Sequence, residues 1–453
     1  MTEGSIPRHL ILYSIPLLLS NLFQTFYTMV DSLVIGWTGN AAAFAAIGGV
    51  IPVTDVLIGL VWGFVTGAEI LLAQSFGKGD RHEVGRVATA AVTGTLGLGL
   101  LSALLGLVLS TPLLHMLLGA DGDPAIFANA RSYLVIYFLG MPAMALYNIG
   151  CSLLRSIGDT RRPLYFLVAS SVLNILLDLF FVFVIPLGVA GVALATVLSQ
   201  IASAIPLFIL LFRSDTPLRL SFRRMKPEGR LLTRIFLLGL PGAIQTSISS
   251  FAGVLTQSYI AGANGIQAAN LGGHSAYAKI YTFVTQPITA LSAGVTIFTA
   301  QNVGGGDLLR ARRGVRVAFC LMLGLTLPLV LLTMLLSGIL PYLFIDDPGI
   351  VSIASSLLLI MTPCALISAL ETPLRAAMRG AGNTFAPMLV TLITSVGLRQ
   401  VFLLLTKQLL SNDLLPLVAT NPASMVLVFP FLIPLYFRTF RRLSVKAPVP
   451  RTG

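Results

Sequence analysis

The sequence predicts an all-α polytopic membrane protein of twelve transmembrane helices in two pseudo-symmetric six-helix bundles. Three observations carry the prediction. Apolar residues make up 56% of the 453 and charged residues only 10%, where a soluble domain holds about 25% charged. Apolar runs near the bilayer-crossing length of about 20 residues recur along the whole chain. Basic residues collect between those runs, almost all on one side. A chain this poor in charge cannot cover its surface in water, so disordered, secreted disulfide-rich and cytosolic catalytic classes are excluded.

Cutting at charge and Gly/Pro clusters places the first six spans at about 10–37, 44–73, 87–111, 130–152, 164–186 and 189–212. The second six fall at about 235–261, 271–302, 315–338, 350–371, 386–407 and 414–437. The first run is too long for a cleaved signal peptide and carries Gln24 and Asp31, so it is read as a retained span. The domains follow: an N-lobe at 1–212, a basic linker at 213–234, a C-lobe at 235–437 and a basic tail at 438–453. The net charge is +12. Twenty-five of the 29 Lys and Arg lie on one side of the spans, with only Arg131 and Lys407 on the other. That bias puts both termini in the cytoplasm of a cell whose plasma (inner) membrane the chain spans. It also removes the reading of the positive charge as a nucleic-acid surface. Cys151, Cys320 and Cys364 lie in apolar runs without metal spacing and are expected to be ordinary buried residues.

The chain repeats itself. Ala73-Gln74-Ser75-Phe76-Gly77-Lys78-Gly79-Asp80 returns as Ala300-Gln301-Asn302-Val303-Gly304-Gly305-Gly306-Asp307. Arg155-Ser156-Ile157-Gly158-Asp159-Thr160 returns as Arg379-Gly380-Ala381-Gly382-Asn383-Thr384, and Pro16 as Pro241. Each repeat holds six crossings, so both halves enter the membrane in the same direction. Parallel repeats of this kind imply a pseudo-two-fold axis along the membrane normal and an alternating-access transporter. The Gly-x-Gly-Asp pairs at 77–80 and 304–307 superficially match intramembrane aspartyl proteases, but their place at helix ends among basic residues predicts a turn with φ > 0 and an Asp cap. No phosphate loop, nucleophile elbow or zinc motif occurs, so the chain is read as neither an enzyme nor an ATP-driven pump, with no cofactor.

A carboxylate inside a span costs about 2.5–3.5 kcal/mol on insertion scales, so an acid there is a functional candidate. Asp31, Asp55, Glu69, Asp178 and Glu371 lie well inside predicted spans. Asp31 ranks first, because Gln24, Thr28 and Asp31 share one face of the first span. Asp178 ranks next, with Asn174 one turn earlier. Two such acids on neighbouring helices repel each other in low dielectric, and an arriving proton or Na⁺ relieves the repulsion. Asn174 and the Thr196 hydroxyl would add neutral oxygen ligands. The alternative is that Asp178 only ties helices together. The second half has no such pair: Thr256 stands where Asp31 does, and Leu398 and Phe402 where Asn174 and Asp178 do. Its seventh span offers only Gln245, Ser249 and Thr256 on one face. Lys279 and Arg399 are cations within spans, and either pair with Glu371 or contact an anionic or zwitterionic substrate.

The order and spacing of several motifs resemble a known family. They are Pro16 followed by Phe26-Tyr27-Thr28-Met29-Val30-Asp31, then Ala73-Gln74-x-x-Gly77-x-Gly79-Asp80. Leu154-Arg155-Ser156-Ile157-Gly158-Asp159-Thr160, Asn174-x-x-x-Asp178 and Gly191-Val192-Ala193-Leu194-Ala195-Thr196 complete the set. Together they resemble the multidrug and toxic compound extrusion (MATE) transporters over nearly the whole chain. The resemblance implies two bundles in a V shape and export of organic compounds, often cationic, against inward flow of H⁺ or Na⁺. In one branch of that family the coupling-cation site lies on the positions matching Asp31, Asn174, Asp178 and Thr196, where Na⁺ would be the only metal. The substrate cavity is expected to involve Gln24, Tyr27, Thr28, Gln245, Thr256, Lys279, Glu371 and Arg399. The partners expected are small organic substrates and the lipid bilayer, and the chain is expected to be a monomer. A lipid-linked precursor flippase or other anionic-substrate exporter of the same superfamily is the alternative, and would require a strongly basic cavity.

Overall fold

Long apolar runs broken only by Gly, Pro and short charged clusters become long helices. The computed structural model describes residues 1–118, 123–213, 217–220, 228–263, 266–410 and 414–446. Residues 214–216 and 221–227 of the basic linker, 447–453 of the basic tail and the side chain of Asp55 lie outside the described residues. The first half runs α1 (Ile6–Gly36), α2 (Ala41–Gly77), α3 (Arg81–Leu118), α4 (Pro124–Ser156), α5 (Arg161–Leu179) and α6 (Val189–Arg213). The second runs α7 (Gly229–Ala261), α8 (Gln267–Gly304), α9 (Leu308–Leu335), α10 (Pro348–Met361), α11 (Cys364–Gly380), α12 (Phe385–Thr391), α13 (Arg399–Leu405), α14 (Leu414–Val426) and α15 (Phe429–Lys446).

Among the described residues eleven helical segments are long and apolar enough to cross a bilayer, or twelve when the α10–α11 pair, bent by 43°, counts as one span. Most helices outrun their predicted spans by one or two turns, because capping and polar contacts prolong them past the apolar core. The tenth span differs with the greatest consequence for the candidate residues. It extends through Gly380, so Arg375 and Arg379, read from the sequence as loop residues, are helical and Arg375 is buried.

The chain forms two compact units: an N-unit, Leu19–Ser247, and a C-unit of Met1–Leu18 with Ile248–Gly453. Two helices therefore change unit along their length, α1 after Leu18 and α7 after Ser247. Within the C-unit the start of α1 is seated by Leu10, which joins a core with Leu291, Val295 and Phe298. There the Arg310 guanidinium also donates to the carbonyls of Glu3 (2.9 Å) and Gly4 (2.8 Å). Within the N-unit the start of α7 is seated in a matching way. Ile235 joins the core of α2, α3, α4 and α6, and Arg86 makes a bidentate pair with Glu228, just before α7. Gly63 and Gly239 let α2 and α7 touch backbone to backbone: a Cβ on Gly239 would stand 2.0 Å from the Gly63 carbonyl oxygen. Such close approach needs glycine on both helices.

The repeated loop motifs are turn-and-cap devices. Gly79 and Gly306 have φ of 76° and 85°. The following acids cap the next helices, Asp80 Oδ1 accepting from Glu83 N at 2.9 Å and Asp307 Oδ1 from Arg310 N at 2.8 Å. An L side chain at either glycine would be strained, and the cap satisfies an otherwise orphaned N–H. Widened π turns occupy Phe180–Val184, Leu392–Leu398 and Thr406–Leu410. Of the cysteines, Cys151 and Cys364 are buried as expected, but Cys320 is exposed, since α9 turns that side of itself outward.

Candidate functional site

The site grows from the C-terminal parts of α1 and α5 in the N-unit. Helix α1 carries Asp31 among Val30, Val34 and Ile35, which pack with Val182, Val189 and Val192. This apolar packing presses the α1 carboxyl toward α5. Asp178 is fully buried, and Asn174, one turn earlier, is 1% exposed. The Asp31 and Asp178 carboxyls lie within hydrogen-bond reach of each other. Asp31 Oδ1, both Asp178 oxygens and both amide atoms of Asn174 are buried without a partner. None of the ion pairs among the described residues involves either acid. Thr196 is buried on α6, which packs on α5, and its hydroxyl donates to the Val192 carbonyl at 3.1 Å. Its oxygen lone pairs remain available.

Two negative charges cannot both stay bare at this separation in a low-dielectric bundle. One proton shared between the carboxyls, or one small cation held by them with the Asn174 carbonyl oxygen, cancels one of the two charges and relieves the repulsion. The unpartnered oxygens are hard donors of the type that suits Na⁺, and a carboxyl pair of this kind also suits H⁺. Among the described residues no group of three or more His, Cys, Asp or Glu side chains is gathered for a metal ion.

Tyr133 of α4 was not singled out by the sequence. It lies in the field of Asp31, Asp178 and Tyr27, and stacks on Tyr137 at 5.7 Å. Tyr27 is within reach of Asp31 and Gln24. Gln24 and Thr28 themselves are exposed on α1, so the polar stripe is not one continuous buried face. The Thr28 hydroxyl donates back to the carbonyls of Gln24 (3.1 Å) and Thr25 (2.9 Å).

Glu69, ranked below the Asp pair, has a structural explanation. It accepts from Ser152 Oγ at 2.8 Å and pairs with Arg155 at 3.3 Å, tying α2 to the repeated loop motif at the end of α4.

The remaining candidates are divided between the units. Gln245 belongs to the N-unit part of α7, and Thr256, Lys279, Glu371 and Arg399 belong to the C-unit. Thr256 is buried and accepts from Gln400 Nε2 at 3.1 Å. The expected pairing of Glu371 with Lys279 or Arg399 does not occur. Glu371 pairs with Arg375 at 2.7 Å, because the extension of α11 places that arginine one turn on, on the same face. Lys279 sits over the Phe344 ring at 5.3 Å, a cation–π contact. Arg399 keeps a buried Nε without an acceptor.

Repeated helical halves long and apolar enough to span a membrane, one of them holding an acid pair, define a polytopic membrane protein, and the family match assigns it to the transporters. The MatE family model matches residues 16–180 and again 241–405, once in each half. The chain belongs to this family, the multidrug and toxic compound extrusion transporters. It is 28% identical over 404 residues to the "Probable multidrug resistance protein YoeA" of Bacillus subtilis, covering 87% of this chain and 86% of that one. To the "Multidrug export protein MepA" of Staphylococcus saprophyticus it is 25% identical, with 85% of each chain covered. Its fold matches a solved outward-facing structure of a multidrug resistance MATE family transporter with a TM-score of 0.90 at 21% identity, over 98% of both chains.

Proposed function

We propose that this transporter is a secondary active antiporter that exports organic, often cationic, compounds in exchange for H⁺ or Na⁺. The observation that carries the reading is the meeting of Asp31 and Asp178 in the N-unit, buried and without a basic partner. A pair of this kind holds one cation tightly when closed off and releases it when the surrounding helices move and water enters. Transport follows if the loaded and unloaded pair favour different arrangements of α1, since an ion shifts an equilibrium only by its differential affinity for the two states. The multidrug names borne by the relatives support organic compounds as the cargo. Charge bias around the spans supports a multi-pass position in the plasma (inner) membrane with both termini cytoplasmic. The expected substrates are small organic molecules handled by a monomer within the bilayer.

Substitution of Asp31→Asn tests the reading. In proteoliposomes the variant should insert normally yet lose drug efflux driven by an imposed pH or Na⁺ gradient. Separate gradients identify the ion, and wild-type efflux by the variant under both would reject the assignment.

A further inference from the structure

Arg399 opens α13 directly after the widened turn at Leu392–Leu398. Its Nε is buried with no acceptor, and among the described residues no hydrogen bond or ion pair engages its guanidinium. The groups that face it are neutral or basic: Tyr277, Tyr281 and His274 from α8, and the Cys364 thiol from α11. Glu371, the acid within the C-unit spans, is already taken by Arg375 at 2.7 Å. A partly buried guanidinium inside a membrane bundle with no counter-charge is costly. Such a group is matched either by a protein carboxylate or by an anion that arrives from outside, and among the described residues the first is not there.

The shape of the surroundings narrows the arriving group. Tyr277 and His274 pack with ring centroids 5.7 Å apart and planes tilted by 54°, and Tyr277 and Tyr281 at 5.4 Å and 31°, so that tilted aromatic rings line one face of α8 within the electrostatic reach of the guanidinium. Flat rings offer apolar contact to another ring. The arginine fork matches the two oxygens of a carboxylate, and tyrosine hydroxyls can donate to the same group. We propose that Arg399, with Tyr277 and Tyr281, forms a subsite in the C-unit for the carboxylate of an aromatic organic substrate, so that the transporter accepts anionic and zwitterionic compounds as well as cations. The proposal rests on the reading of the chain as an exporter of organic compounds and names a further class of cargo for it.

The test is equilibrium binding to the full chain in lipid nanodiscs, with no ion gradient, using dansylglycine and its methyl ester as a matched pair. The dansyl fluorescence reports binding, and the two probes differ only at the carboxyl, which the ester caps with a methyl group and leaves uncharged. Wild type should bind the acid about tenfold tighter than the ester, the size of one charge-assisted contact. Arg399→Gln should bring the ratio close to one by weakening the acid alone. Tyr277→Phe with Tyr281→Phe should lower it partway, and serves if the Arg399 variant does not fold. Equal wild-type affinities for acid and ester would overturn the proposal, as would an unchanged ratio in the folded variants. A loss of both probes together in Arg399→Gln would also overturn it, since that marks a purely structural arginine. Asp31→Asn should keep the wild-type ratio, so failure of the coupling mechanism and failure of this subsite are separable.

Discussion

The two halves of this transporter solve the same packing problem with opposite chemistry. In the first half, α1 and α5 meet through the carboxyls of Asp31 and Asp178, with Asp31 Oδ1 and both Asp178 oxygens buried and unsatisfied. In the second, Thr256 occupies the place of Asp31, and α7 meets α13 through a neutral bond from Gln400 Nε2 to Thr256 Oγ1 at 3.1 Å. A neutral hydroxyl and amide satisfy each other and need nothing more. Two acids need a cation. The repeated loop motifs after α4 and α11 reverse the bias. Arg155 has Glu69 as its counter-charge at 3.3 Å, while its repeat partner Arg379 donates to the Ser292 hydroxyl at 3.0 Å and keeps a buried Nε with no partner among the described residues. The first half is therefore short of positive charge at its acid pair and the second is rich in it at Arg379 and Arg399. One fold, repeated, has been differentiated by swapping ionised for neutral groups at matching sites.

The sharpest way to break this comparison is at the acid pair. Asp178→Asn should reduce gradient-driven efflux by at least about tenfold, equivalent to about 1.4 kcal/mol of lost differential cation binding. Thr256→Val, at the opposing contact, should leave coupling within about twofold, because no charge is lost there. Similar losses in both variants, measured in proteoliposomes, would mean the halves share the coupling. Next in size come the arginines of the repeated loop motifs. Glu69→Ala strands Arg155 and should lower stability by about 2 kcal/mol, the scale of a hydrogen-bonded charge. Ser292→Ala removes one hydroxyl from Arg379 and should cost about 1 kcal/mol. Equilibrium unfolding in detergent compares them, and equal losses would erase the distinction.

The smallest effect belongs to the exposed clasp before α7. The hydrogen bond from Arg86 holds the Glu228 carboxyl below the usual glutamate range. A carboxyl depressed in the folded state contributes stability above its ordinary range and loses it as pH falls through the lowered value. Wild type and Glu228→Gln should therefore differ slightly and constantly from neutral pH down to the ordinary glutamate range, and converge only below it. Thermal unfolding across pH reads this, and convergence already near neutrality would show that Arg86 does not hold the carboxyl. High salt should shrink the difference, as for any solvated pair.

Much of the molecule was legible before any coordinates. The Gly79 and Gly306 turns with their Asp80 and Asp307 caps were readable because a turn and its cap are decided within five residues. Asp31 and Asp178 stood out because ionisable groups are rare in spans. Tyr133 was not legible, since a tyrosine in an apolar run has no signal until a distant helix brings a carboxyl to it. Glu371 was assigned to the wrong cation because the length of α11 was underestimated. Its true partner, Arg375, looked like a loop residue at the end of an apolar run, and a helix boundary inside a bent span depends on packing as well as on composition.

Composition, run length and charge bias determined the solvent and the number of crossings, because those depend on local free energies of transfer and each residue votes alone. Tertiary structure decided which groups meet: that two acids on α1 and α5 face each other with no counter-charge among the described residues, that Arg399 is likewise left without one, and that α1 and α7 each pass from one compact unit to the other along their length. Pairing between side chains over a hundred residues apart is set by how whole helices pack, and such packing leaves no periodic trace in the order of the amino acids.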